Sequence, residues 1–507
     1  MKDFDAIVVG AGMGGLSAAA FLSMAGMKVA VFEKHDKPGG YATSFSLHGV
    51  RFDAGLEALP ELAPEDALGS FLSLWGVHVP SIVRQENVRV LTDAGDYTFR
   101  DASLVEDFRA AFPDRRREVD AFFRINRRMV DGMMAGGPPK APQEMSLLDK
   151  LAFGVRSMTK NPDMIRFGLK NGHAVIGRTL GGGELGAAIL AKVFYDVVYL
   201  SYAYRWEQVR RRRLLYPVGG MQALSDAVAG VTLARAGRLF LKNGVRRILV
   251  EAGRAVGVED ETGSVHRADV VICNAPLPNA LGSLLAGVNA LDPLRKAVAR
   301  RAIFPSAALV FLGLDASYDP GGHYTALSPS FEACRRGSWT AENVPLALVT
   351  SSGWDGGPVR PAFIMATLGH EYADHWASGP NGERGKAYAE LKEKVARIFI
   401  DRLAQRLPKG FRDAIRFSVP ATPLTLERYT GNTGGSFMGF HCRAGEYGRF
   451  FPQTSAIDGL YFSGQWVFPG FGVAGVAASG YFCAKTALEK AGVDLMAIMT
   501  AGRKGVA

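Results

Sequence analysis

The run Ile7-Val8-Val9-Gly10-Ala11-Gly12-Met13-Gly14-Gly15-Leu16 stands almost at the start of the chain and constrains what the rest can fold into. An apolar strand (Phe4 to Val9) enters a glycine turn, a small-residue helix (Leu16 to Ala25) leaves it, and a second strand (Lys28 to Phe32) ends in Glu33. In such a unit Gly10 permits the tight turn, Gly12 and Gly14 let backbone N–H groups approach a pyrophosphate, and Gly15 lets helix and strand pack closely. Glu33, 18 residues past Gly15, falls where a carboxylate accepts hydrogen bonds from a ribose diol, with Lys34 beside it. The turn alone leaves FAD and NAD both open.

Its sequel narrows the choice. Pro38-Gly39-Gly40-Tyr41-Ala42-Thr43-Ser44 follows directly, and Val50-Arg51-Phe52-Asp53-Ala54-Gly55 comes next. A second glycine turn at Gly39 and Gly40 suits a loop beside a long cofactor already held at its AMP end, with Ala42 alongside and Thr43 expected to reach phosphate or ribityl oxygens. A plain nicotinamide domain has no need for it, so FAD is the expected cofactor.

At 507 residues and 48% hydrophobic the chain is too long for one core. The βαβ rhythm lapses after about residue 64, returns near 210, lapses again near 300 and closes from about 441. The fold class expected is α/β: a Rossmann-type FAD-binding domain in three parts (1–64, 210–299, 441–507). A discontinuous mixed α+β substrate domain (65–209, 300–440) completes it. In the first lapse Val105 to Met134 predicts one long helix, with Phe108, Phe112, Val119, Phe122 and Phe123 in a core. The Phe, Met and Leu content there fits a lining for a large apolar ligand as well as an ordinary helical core. When the rhythm returns, Val245 to Val250 predicts a strand whose backbone at Val245 holds an adenine. The strand Asp269 to Cys273 ends in Asn274.

Leu460 to Ala484 carries no charged residue and has the length of a membrane span, but six glycines and prolines break it. It reads as a strand ending in Gly464, a glycine loop, and a helix beginning at Gly472 and Val473. That helix N-terminus is expected to face the O2/N1 edge of a flavin and stabilise its anionic form. The four cysteines have no metal-ligand spacing and read as isolated core thiols, and His370 and His375 lack a carboxylate at metal spacing. No metal is expected. No signal peptide is expected before the first strand, and the net charge of +10 comes with no nucleic-acid motif.

Taken together, Gly10 to Gly15, Glu33 with Pro38 to Gly40, Phe52 to Gly55, Tyr216-Pro-Val-Gly-Gly220, Ala268 to Asn274, and Gly459 to Gly464 through Phe468-Pro-Gly-Phe-Gly-Val473 resemble the FAD-dependent phytoene desaturase family. Within it, the last motif and Ala477-Ala-Ser-Gly480 are most similar to the carotenoid isomerase and retinol saturase branch. The resemblance covers nearly the whole chain. It implies an FAD-dependent oxidoreductase acting on a long isoprenoid or polyene by desaturation, saturation or flavin-assisted isomerisation of C=C bonds, with a quinone or oxygen as acceptor for a desaturase.

Other readings of the same scaffold are a flavin amine oxidase or protoporphyrinogen oxidase-like enzyme, and a non-catalytic prenyl-binding escort. Glu57, just after the Gly55 turn, departs from the family pattern and is the first acid/base candidate. Arg428 and Tyr429 are candidates for an inner tunnel or for a polar substrate end. The run Arg210 to Arg213 is expected to meet lipid headgroups, giving a cytoplasmic protein held peripherally at the inner face of a membrane.

Overall fold

The structure is a computed structural model and describes residues 2–506 except 57, 85, 135–144, 194 and 381, with residues 501–506 described by backbone alone. Five short strands form one parallel sheet in the order Leu460–Phe462, Val270–Cys273, Ala6–Val9, Val29–Phe32, Arg238–Phe240. The inner strands Ala6–Val9 and Val29–Phe32 are buried at every position, as expected for a sheet covered on both faces. Strands from the beginning, middle and end of the chain therefore share a single layer. Arg238–Phe240 joins this sheet, while Val245–Glu251, Arg254–Asp260 and Val265–Arg267 make a separate antiparallel meander.

Two helices cross over this sheet at almost backbone contact. The first, Met13–Met24, starts inside the glycine turn; the other, Val473–Lys490, follows Gly472. A Cβ on Gly480 would stand 2.3 Å from the Gly14 carbonyl oxygen and 2.7 Å from the Ala18 nitrogen. Ser17 Oγ donates to the Ala477 carbonyl at 2.7 Å across the same crossing. Small residues on both helices are what allow that approach.

The second half of the molecule is a seven-stranded mixed sheet, in the order Ile415–Ala421, Ala308–Asp315, Val359–Ala366, Leu346–Thr350, Tyr324–Leu327, Asn87–Leu91, Asp96–Arg100. Helices pack on it through a core that includes Phe108, Phe122, Phe123, Tyr199, Tyr202 and Trp206. The helix expected over Val105 to Met134 is in fact two, Leu104–Ala111 and Arg116–Met134. Pro113 lacks an N–H and pushes Phe112 out of the helical region (φ −129°, ψ 66°), which turns the chain between them. The core candidates Phe108, Phe112, Val119, Phe122 and Phe123 are nonetheless all buried.

An ion cluster is sealed between the helices and this sheet. Glu86 pairs with Lys192 and lies 3.9 Å from Arg84, and the Lys192 ammonium sits 3.4 Å above the Tyr324 ring. Burial pushes the Glu86 carboxyl up, but Lys192, Arg84 and Arg205 outweigh it and hold it at about 2.

The basic run Arg210 to Arg213 does not face outward as a free cationic surface. Arg210 pairs with Glu207, Arg211 with Asp131, Arg212 with Asp101, and Arg213 with Glu65 and Asp66. These carboxylates come from four separate stretches of chain, so the run ties elements together and its charge is neutralised locally. The four cysteines are buried free thiols, and among the described residues no helix is long and apolar enough to cross a membrane.

The helix crossing yields a stability prediction. Gly480→Ala forces a methyl into the Gly14 backbone and should cost about 1–3 kcal/mol. Gly230→Ala, within the helix Met221–Leu233 and with nothing within 4 Å of its Cβ, should stabilise by about 0.5–1 kcal/mol. Thermal unfolding of the two variants should move Tm in opposite directions; equal values would contradict the close approach.

Candidate functional site

At the carboxyl ends of the parallel strands a cleft of ≈ 420 Å³ opens, lined by Gly10, Gly12, Gly14, Glu33, Lys34, Gly39, Gly40, Ala42, Val245, Asn274, Gly464, Gly472 and Val473. Thirteen of the positions singled out from sequence thus share one cavity, at the place where α/β sheets bind ligands. Gly15 lies behind it. A Cβ there would stand 2.2 Å from the Gly10 carbonyl oxygen, so this glycine closes the turn against its own helix.

Asn274 is the hub of the cradle. Its Nδ2 donates to the Gly10 carbonyl at 3.3 Å, and its Oδ1 accepts from Ser463 Oγ at 3.1 Å. A Cβ on Gly12, Gly14 or Gly464 would come within 2.9, 2.7 or 2.8 Å of the same amide. Two backbone segments distant in sequence therefore converge on one side chain, and only glycine fits at the closest contact points. Glu33 holds the turn from the other side, accepting from the Ala11 N–H at 2.8 Å and the His35 N–H at 3.0 Å.

Two helix N-termini open into the cleft. Met13–Met24 follows Gly12, Val473–Lys490 follows Gly472 (φ +85°), and neither is capped by a side chain. Their first N–H groups are positioned to meet an anion or a developing negative charge. Glycine backbone around a channel, a carboxylate at the end of the second strand and two uncapped helix ends fit the phosphates, ribose and ring of a flavin dinucleotide.

The second glycine turn is held by a network whose donors lie far away in sequence. Ser225 Oγ donates to the Ala42 carbonyl at 2.5 Å, and Gln222 Nε2 donates to that of Pro38 at 2.9 Å. Asp53 accepts from Ser44 Oγ (2.5 Å), from the Met221 N–H (3.0 Å) and from the Tyr216 hydroxyl. This explains why Phe52 to Gly55 and Tyr216 to Gly220 occur together: the Asp53 carboxylate joins them, and a Cβ on Gly220 would meet Ser44 Oγ at 2.6 Å.

Four expectations are corrected or relocated here. Thr43 does not reach into the cleft, because its hydroxyl donates to Gln222 Oε1 at 2.7 Å. Gly55 (φ +92°) turns the chain, but it is the next residue, Leu56, that lines the cavity. Arg428 and Tyr429 do not form an inner tunnel. The Arg428 carbonyl accepts from Lys34 Nζ at 3.4 Å, the Tyr429 carbonyl bonds the His35 ring, and the Tyr429 side chain is 59% exposed at the rim. Glu57 lies outside the described residues.

Sequence reasoning missed a latch that closes over the rim. Asn432 Oδ1 accepts from Trp466 Nε1 at 2.8 Å and Gln465 Nε2 at 3.0 Å, and Tyr41 donates to the Gly435 carbonyl at 3.0 Å. The Gly434 N–H donates to Glu427 (3.0 Å), which pairs with His370 at 3.2 Å. The hydrogen bond to Glu427 raises His370 above its ordinary value. Burial pushes Glu427 up, but His370 and the Gly434 N–H outweigh it and leave the carboxyl below the usual range. The glycines from Gly431 to Gly435 were visible in the sequence, but their partners in another part of the chain were not.

The comparisons agree with this geometry. The family model described as flavin containing amine oxidoreductase matches residues 13–488. Prolycopene isomerase 1, chloroplastic, of an Oncidium hybrid cultivar is 25% identical over 522 residues, covering 97% of this chain and 85% of that one. The all-trans-retinol 13,14-reductase of Danio rerio is 23% identical over 516 residues, covering 92% and 82%. Among solved structures, an oxidoreductase from Methanosarcina mazei shares the fold with a TM-score of 0.58 at 18% identity, covering 95% of this chain and 99% of that one. Putrescine oxidase bound to putrescine does so with a TM-score of 0.60 at 15% identity, covering 96% and 99%. A match over that much of the chain settles the family: this protein belongs to the flavin-containing amine oxidoreductases, and its cofactor is FAD.

Proposed function

We propose that the protein is an FAD-dependent oxidoreductase that acts on the conjugated double bonds of a long isoprenoid or polyene. The observation that carries this reading is that prolycopene isomerases and retinol 13,14-reductases align over 92–97% of the chain, with thirteen of the expected cofactor-binding residues falling in one cavity. In this reading Gly10, Gly12 and Gly14 approach the pyrophosphate, and Glu33 takes the ribose diol. Lys34 and Val245 flank the adenosine, Gly39, Gly40 and Ala42 follow the cofactor's length, and Gly464, Gly472 and Val473 meet the flavin ring. Asn274 braces the wall it lines, and Gly15, Thr43 and Gly55 shape the cradle from behind.

Bound FAD supplies hydride exchange, and the protein supplies orientation and a dry surrounding. The uncapped N-terminus at Val473 favours negative charge on the ring beside it. Lining carboxylates among the described residues are Glu33 and Glu261, both on the wall that carries Lys34 and Gly244. Leu56, Phe437, Val473 and Val476 provide apolar lining instead, which suits a hydrocarbon better than an ammonium. An amine-oxidase reading rests on the shared scaffold alone. Glu57 remains the candidate for proton exchange with the substrate, and the rim position of Arg428 and Tyr429 assigns them to cofactor enclosure.

The test is anaerobic incubation of FAD-loaded enzyme, oxidised and pre-reduced, with phytoene and lycopene isomers. Flavin absorbance and product mass are followed together. A product two hydrogens lighter or heavier, or a changed isomer at constant mass, is expected. No change with any polyene, together with oxygen uptake on amines, would overturn the reading.

The latch predicts a pH dependence of cofactor retention. Because His370 is raised in the folded protein, its contribution is complete below its ordinary 6.5 and is lost as pH rises through the higher folded value. Glu427 is depressed, so its contribution is lost only as pH falls through its lowered folded value. The FAD dissociation constant should rise about two- to fivefold between roughly pH 6 and roughly pH 9. His370→Gln should flatten that dependence, and an unchanged slope in the variant would contradict the assignment.

A further inference from the structure

The helix Leu147–Lys160 has no buried residue, yet it is amphipathic. At 3.6 residues per turn, Leu147, Leu148, Leu151, Val155 and Met158 fall in one arc of about 100°. They are 75%, 77%, 59%, 56% and 60% exposed. Among the described residues, exposed large apolar side chains elsewhere stand singly or in pairs along the chain, whereas here five of them form one stripe facing solvent. The helix is well formed despite this, since Ser146 and Asp149 make a reciprocal capping box at its start.

Charge decides what this stripe meets. Lys150 flanks it on one side, and Lys160 stands at the helix end. Asp149, the one acidic residue of the helix, is spent in the capping box. The turn that follows exposes Ile165 and Leu169 next to Arg166 and Lys170, while its acid, Asp163, is paired with Arg128 at 2.8 Å. An apolar stripe bordered by cationic residues matches a bilayer surface with anionic headgroups, where the stripe enters the acyl boundary and the lysines and arginines stay at phosphate level. The Arg210 to Arg213 run lacks this character, because its charges are taken by carboxylates of the protein.

We propose that the helix Leu147–Lys160 is a docking element for an anionic phospholipid surface, lying in the plane of the interface without crossing it. The proposal stands whether or not the substrate is a polyene; if it is, docking brings the enzyme to the phase in which such a substrate dissolves.

The experiment is flotation of the full-length FAD-loaded protein with phosphatidylcholine vesicles, with and without phosphatidylglycerol. Binding to the anionic vesicles alone is expected. Leu148→Gln with Leu151→Gln should lower the bound fraction about tenfold or more, and Lys150→Ala with Lys160→Ala should do the same by removing the charge. These positions are exposed, so flavin content and Tm should stay at the parent value. Equal flotation of parent and variants, or equal binding to neutral vesicles, would overturn the proposal. So would a lipid-free dimer, seen by light scattering, that the leucine variant dissolves, because the stripe would then belong to a second copy of the chain.

Discussion

Asn274 sits where two stretches of backbone, distant from it and from each other in sequence, come closer than a side chain at their glycines would allow. Its amide ties the Gly10 carbonyl to the Ser463 hydroxyl, and its atoms fill the space that a Cβ on Gly12, Gly14 or Gly464 would need. The first helix enters from one side of this point and Val473–Lys490 from the other, crossing again at Gly480. The strand spacing, both helix N-termini and the channel between them all follow from that one close packing. A cofactor cradle made of backbone needs such a device, because bare N–H groups reach a ligand only where side chains have been removed.

The rest of the cavity is built outward by polar contacts of long sequence separation. Asp53 binds the second glycine turn to the N-terminus of Met221–Leu233, and Asn432 binds the rim loop to Gln465 and Trp466. The seven-stranded sheet, for its part, holds a sealed Glu86–Lys192 pair in its own core. Such networks fix relative position as well as adding stability, since breaking one member leaves a buried partner unpaired.

Much of this was legible in the residues themselves. Glycine spacing after an apolar strand, Glu33 at a strand end, and the glycine loop before Val473 in the charge-free stretch each express a local rule, and each contributes residues to the same cleft. What the sequence hid was partnership. Nothing near Thr43 announces that Gln222 will take its hydroxyl, and nothing near Arg210 to Arg213 announces Glu65, Asp101 or Asp131. The break between Ala111 and Arg116 was readable at Pro113, but the helical periodicity on both sides concealed it. The exposed stripe of Leu147–Lys160 reads in sequence like any core-facing helix, and only the fold reveals that no core lies opposite.

If the convergence on Asn274 builds the cradle, then its side chain governs cofactor affinity without touching the reaction. The most direct measurement is the FAD dissociation constant of the Asn274→Ala protein, taken by fluorescence titration beside far-UV circular dichroism and Tm. The account predicts a loss of affinity of about tenfold or more, from two lost hydrogen bonds and a loosened Gly10 turn, with secondary structure retained. Parental affinity in the variant would contradict it and assign the cradle's shape to the glycine backbones alone.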